Sequence, residues 1–96
     1  MYSLIDNKTA QQYEFHIDGE IAKVEYKKKE NKIYLIHTEV PKPLGGRGIA
    51  SQLVKHVLED IQEKGWYLVV YCPYVKSYLQ RHPEWNDQLQ SIDIRV

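Results

Sequence analysis

Residues able to carry chemistry cluster at three places in this sequence. His37 and Glu39 stand two apart near the end of KIYLIHTEV. Gly45, Gly46 and Gly48 surround Arg47 in PKPLGGRGIAS. Cys72 closes the apolar run WYLVVYC, directly before Pro73. Histidine, with an unperturbed pKa of about 6.5, is the side chain best suited to take up and release protons near neutrality. Glycines ahead of a helix let the backbone come close to a ligand, and the free N–H groups of the first helical turn favour an anion, phosphate above all. Arg47 would add a positive charge for a second phosphate. A thiol at a strand end serves as a nucleophile or an acid–base partner, or simply packs as a small apolar group. The loop lacks the Lys-Ser or Lys-Thr of a P-loop, and its glycine spacing is not that of a dinucleotide fingerprint. Taken alone, it either turns a corner or holds an anion.

The elements that must position these residues follow from periodicity. QYEFHI runs to Asp18-Gly19, a tight hairpin signal, and EIAKVEYKK alternates Ala22, Val24 and Tyr26 with Lys23, Glu25 and Lys27. One face of that strand is therefore buried and the other wet. In KIYLIHTEV, Ile33 and Leu35 share a face with His37 and Glu39 unless a β-bulge shifts the alternation; in that case Glu39 becomes the alternative base. Pro41 and Pro43 end the ladder. Residues 48–64 read as an amphipathic helix through Ile49, Leu53, Val54, Val57, Leu58 and Ile61, closed by Gly65. The continuous apolar run 66–72 suits a strand covered on both faces and paired in parallel. Strand, helix and strand form a right-handed crossover. YVKSYLQR is a short second helix, with Tyr74, Val75, Tyr78 and Leu79 as its apolar stripe, while His82 and Trp85 lock it in place. QLQSIDIRV is a weak candidate strand. The expected fold is an α/β (α+β) domain over residues 1–96: a mixed sheet with antiparallel N-terminal strands, one crossover and a short second helix. In such open units a ligand sits beyond the carboxyl ends of the strands, where His37, Glu39, the glycine loop and Cys72 converge.

Composition narrows the function classes. The chain has 96 residues, with 13 Lys plus Arg against 13 Asp plus Glu, so no electrostatic footprint for nucleic acid or an anionic membrane surface is expected. One cysteine permits neither a disulfide framework nor a zinc cluster. MYSLIDNKTA lacks the basic start and apolar core of a secretory signal, and no segment reaches the length of a bilayer span. The expectation is a cytoplasmic protein, with no metal.

The segments HTEVP, GRGIAS.LV and CPYV..YL.RHPE together resemble the small single-domain branch of the GCN5-related N-acetyltransferase (GNAT) superfamily, over roughly residues 12–85. The resemblance implies an enzyme that moves an acetyl group from acetyl-coenzyme A to a primary amine. It implies that Gly46, Arg47, Gly48, Ile49, Ala50 and Ser51 bind the diphosphate of that cosubstrate, with Gly45 standing where the superfamily carries an arginine or glutamine. The pantetheine arm would then lie between splayed strands ending near Glu39–Val40 and Cys72. His37 is favoured as the base. Cys72 and Tyr78 are candidates for handling the departing thiol, with direct transfer ranked above an acetyl-cysteine. Few residues precede the first clear strand, so the acceptor groove should be open and shallow. The acceptor itself, whether polyamine, small metabolite or protein lysine, is left open, as is a coenzyme A-binding module with little catalysis. A monomer or a weak homodimer paired through an open edge strand fits either reading.

Overall fold

The computed structural model describes residues 2–96. The elements in chain order are β1 (Ile5–Asn7), β2 (Gln12–Ile17), β3 (Glu20–Lys29), β4 (Lys32–Glu39), α1 (Ile49–Lys64), β5 (Tyr67–Val70), α2 (Pro73–Arg81), α3 (Trp85–Gln88) and β6 (Ile92–Ile94). A 3₁₀ turn at Lys42–Leu44 lies between β4 and α1. The strands form a single mixed sheet in which spatial order repeats chain order, β1-β2-β3-β4-β5-β6. β1 through β4 are antiparallel, and β4-β5 and β5-β6 are parallel.

Local sequence explains most of these elements. Asp18 and Gly19 adopt φ 53° and 77°, the paired left-handed conformations that let a two-residue turn match the twist of β2 and β3. The apolar stripe of α1 is buried against the sheet: Leu53, Val54, Val57, Leu58 and Ile61 meet Tyr13, Phe15, Val24, Ile33 and Leu35 in one cluster. Gly65 ends α1 at φ 70°, its N–H donating to the Ile61 and Gln62 carbonyls, and Trp66 N–H adds a third bond to Ile61. Val75, Tyr78 and Leu79 of α2 and Trp85 of α3 join the same cluster, so all three helices contribute to one core.

β1 occupies the N-terminal stretch in which no strand is expected, and α3 is a further unanticipated element. The tail strand exists as β6. β5 is buried on both faces and paired in parallel, as its sequence suggests. Leu68 and Val70 enter the core with Ile33 and Leu35, their parallel partners. Val69 pairs with Tyr34, whose ring stacks on Tyr71 with centroids 6.3 Å apart. Aromatic side chains on the strands themselves thus shield that face of β5.

A polar chain fastens the far end of α1 to the sheet. The buried Tyr13 hydroxyl donates to Asp60 at 2.6 Å, and Lys64 reaches the same carboxylate at 2.9 Å. Burial, and then the bond to Asp60, hold the Tyr13 phenol far above its ordinary titration range. Tyr13→Phe should lower unfolding stability by about 1.5 kcal/mol, the low end for a bond to a charged group because Asp60 keeps Lys64. Urea denaturation of the two proteins measures it, and equal midpoints at equal slopes would show the bond to be worth nothing.

Candidate functional site

The glycine loop is pinned from below and bare above. Leu44, 1% exposed, and Ile49, 2% exposed, anchor its two ends in the core, while Gly45, Gly46, Arg47 and Gly48 are exposed. Gly46 and Gly48 lie at φ 77° and 69°, left-handed conformations that other residues rarely adopt. A Cβ at either position would meet no neighbouring atom within 4 Å. The space beside them is open to whatever approaches.

Helix α1 begins at this loop with no side-chain cap. Its first recorded internal bond runs from Gln52 N–H to the Gly48 carbonyl, which leaves the amides of Ile49, Ala50 and Ser51 without helical partners. Among the described residues, no backbone bond engages the amides of Gly46, Arg47 or Gly48 either. Six successive N–H groups at the positive end of a helix are thus without backbone partners, the arrangement that favours an anion. Arg47 is not a free charge: its guanidinium donates to Asp18 of the β2–β3 turn at 2.8 Å. The pair is exposed on both sides, the kind of contact that a stronger anion displaces.

Beside the loop the sheet divides. β4 and β5 pair only from Lys32–Tyr67 to Leu35–Val70. The N–H groups of Tyr71 and Cys72 then converge on one carbonyl, that of Leu35, at 2.9 and 3.1 Å, and Pro73 turns the chain into α2. Beyond that point β4 continues to Glu39 with β3 as its ladder partner. The β5 side of Ile36–Glu39 forms the open arm of a fork.

A β-bulge sets which side chains face which way. Tyr26 pairs with Leu35 and Glu25 with His37, so Ile36 is the extra residue. The shared face expected for Leu35, His37 and Glu39 is therefore broken. Thr38, opposite the buried Val24, takes the core-facing place. His37 and Glu39 turn to the other face, their side chains 55% and 58% exposed, with Nε2 and Oε1 3.6 Å apart. Cys72 is 2% exposed, and its Sγ lies 3.2 Å from Thr38 Oγ1. The structure joins Cys72 to Thr38 and His37 to Glu39, and it separates the two pairs by the thickness of the sheet.

Tyr78 lies elsewhere than the fork pairs. Its ring stacks on His82 with centroids 4.3 Å apart, and it helps line a cavity of about 290 Å³ with Lys55, Glu59, Gln62 and Trp85. Burial raises the Tyr78 phenol above its ordinary value, with the Trp85 indole partly opposing the shift. Residues 45–51 line neither this hollow nor that of about 300 Å³ beside Trp66. The glycine loop and fork offer an open track, suited to an extended ligand.

The face that carries His37 also holds Glu14, a buried carboxylate that sequence reading missed. Asn7 and Gln12 donate to it at 3.0 and 2.6 Å, and His16 Nε2 lies 2.7 Å away. Burial pushes its carboxyl upward, but the contacts from His16, Gln12 and Asn7 outweigh that and leave it below the ordinary 4.5. A group with a depressed folded-state value stabilises above its unfolded value and loses that contribution as pH falls through the folded one. Glu14→Gln should therefore flatten the decline in melting temperature below about pH 4.5; superimposable acid limbs for the two proteins would contradict this. Among the described residues, no group of three or more His, Cys, Asp or Glu side chains is placed to hold a metal, and no helix is long and apolar enough to cross a membrane.

A family model for GCN5-related N-acetyl-transferases matches residues 12–88. This chain belongs to the GCN5-related N-acetyltransferase family. Its fold agrees: the NMR solution structure of a GCN5-like candidate N-acetyltransferase from Staphylococcus aureus superposes with a TM-score of 0.70 at 22% identity, covering 98% of this chain and 91% of that one. Among curated relatives, Protein NATD1 of mouse is 39% identical over 58 residues, which is 58% of this chain and 53% of the relative. Protein NATD1 of Xenopus tropicalis is 34% identical over 58 residues. The match spans about half the length of these relatives. For this N-acetyltransferase family member, the glycine loop, the fork and the bulged β4 all fall within the matched residues 12–88.

Proposed function

We propose that this chain transfers an acetyl group from acetyl-coenzyme A to a primary amine. The observation that carries the reading is the row of unpartnered amides over residues 46–51, at the start of the helix that joins the two strands of the fork, β4 and β5. The donor set fits the cosubstrate: the amides of Gly46, Arg47, Gly48, Ile49, Ala50 and Ser51 suit a diphosphate, with Gly45 leading into them. The unpaired edge of β4 through Glu39 and Val40 offers hydrogen bonds to an amide-bearing arm. Acetyl-coenzyme A supplies an activated thioester.

The residues of the chain do the rest. His37, on the exposed face, takes a proton from the incoming ammonium, and Glu39 at 3.6 Å steadies the resulting charge. Should Glu39 itself be the base, His37 becomes its partner. On the core side Cys72 returns a proton to the departing sulfur. Tyr78, the other candidate for that step, faces the hollow beside His82 and not the fork, so Cys72 is the donor proposed. An acetyl-cysteine at Cys72 is the less favoured route. The exposure of His37 and Glu39 suits acceptors that present an amine on a long arm: a polyamine, a small metabolite or a lysine side chain.

Melting-temperature titration with acetyl-coenzyme A, followed by thiol release on a panel of amines, tests the proposal. Ligand should raise the melting temperature by linkage, and at least one amine should be turned over. No shift at millimolar ligand removes the reading. A shift without turnover on any amine supports the second reading, a coenzyme A-binding module, which the uncovered position of His37 favours.

A further inference from the structure

The fork holds a contact that the mechanism above does not use. Thr38 Oγ1 lies 3.2 Å from Cys72 Sγ. The bulge at Ile36 creates it: without the extra residue, His37 would take the core-facing position and Thr38 would point to the exposed face. Pairing with Val24 then fixes Thr38 against β3. On the other side, the Leu35 carbonyl accepts the Cys72 N–H at 3.1 Å, and the Cys72 carbonyl accepts the Lys76 N–H. The main chain on both sides of the contact is therefore held.

We propose that Thr38 is a positioning residue that stabilises the thiolate of Cys72 during acetyl transfer; this rests on the role given to Cys72 above. A thiolate formed at a site 2% exposed loses its hydration. A hydroxyl within hydrogen-bond reach offsets that loss. As the amine nitrogen bonds to the acetyl carbon, the carbon–sulfur bond breaks and the departing sulfur takes the proton of Cys72. The second proton of the acceptor nitrogen goes to His37, which has by then released the first to solvent from its exposed face. The Thr38 hydroxyl, which either donates or accepts while Cys72 is a thiol, donates to the thiolate until solvent returns a proton. Other charges on the neighbouring elements are committed elsewhere. His37 and Glu39 leave β4 on the opposite face, as do their partners Glu25 and Lys23 on β3. The Lys76 ammonium of α2 reaches the Val96 carbonyl at 3.1 Å.

Cys72 is the sole cysteine of the chain, so labelling with ¹³C-cysteine gives one Cβ resonance whose shift reports ionisation directly. Thr38→Val, close in shape but without a hydroxyl, should move the Cys72 titration upward by about one pH unit, a tenfold loss of thiolate at a given pH. Thr38→Ser should restore it, and Thr38→Ala provides a second deletion should the valine variant fold poorly. In turnover, Thr38→Val should lower kcat about tenfold at unchanged KM for acetyl-coenzyme A, with no further loss in a Cys72→Ala background. Coincident titrations of the wild type, valine and alanine variants would overturn the proposal. The NMR arm needs no ligand, so absence of turnover in every protein would count against acetyl transfer while the thiol titration still decides the role of Thr38.

Discussion

Gly48→Val should abolish the stabilisation that acetyl-coenzyme A confers on this protein. Gly48 sits at φ 69°, where a β-branched residue is strained, so the variant itself should melt lower. The larger effect is on the ligand. A side chain at Gly48 would meet nothing within 4 Å in the protein; it would stand in the space above the amides of residues 46–51. In the wild type, ligand at one hundred times its Kd adds about 2.7 kcal/mol of apparent stability, and less than a tenth of that should survive in the variant. Gly48→Ala separates the two causes, since it carries the left-handed strain with a single methyl group. Alanine should keep part of the ligand-induced shift, and valine none. A valine variant that binds as well as wild type would place the diphosphate away from the loop.

His37→Ala and Cys72→Ala should both lower kcat while leaving ligand binding intact. Loss of a general base or acid costs about 10²–10⁴-fold. His37 is more than half exposed, so its removal should change stability by less than about 0.5 kcal/mol, which makes it the cleaner test. Cys72 is buried, and its variant should also melt slightly lower. The two act on opposite faces of the sheet, one on the amine and one on the departing sulfur. If the His37 variant turns over at the wild-type rate, the base is not His37, and Glu39→Gln becomes the informative replacement.

The long, strongly patterned elements were legible in the chain. The stripe from Ile49 to Ile61 places α1 within one residue of its observed start, and Asp18-Gly19 identifies the β2–β3 turn because two consecutive left-handed residues need such types. Elements of three or four residues, β1 and α3, are too short to produce a period. The bulge at Ile36 was left open for a different reason. Ile33, Leu35 and His37 continue an alternation that a regular strand would satisfy, and the extra residue shows only in the pairing with Glu25 and Tyr26. That one irregularity decides which face receives His37 and which receives Thr38. The local sequence therefore indicated the residues at the fork, but not their sides. The Arg47–Asp18 pair joins segments 29 residues apart, and the partners of Glu14 come from two strands. The first leaves no local trace; of the second, Gln12 and His16 do stand two residues either side of Glu14, but the contact from Asn7 comes from β1.

Because every strand lies next to its predecessor in the chain, assembly of this sheet is mostly a matter of short-range closure. Only tight turns separate β1 to β4, so that meander can zip up at small entropic cost. Two long excursions are the exceptions: from Glu39 to Tyr67, where β5 returns across α1 before it finds Leu35, and from Val70 to Ile92 through α2 and α3. The seam between β4 and β5 closes the longer of the two and has four paired positions, against three between β5 and β6. The cleft that would hold the thioester lies along the seam whose closure spans the longest stretch of chain.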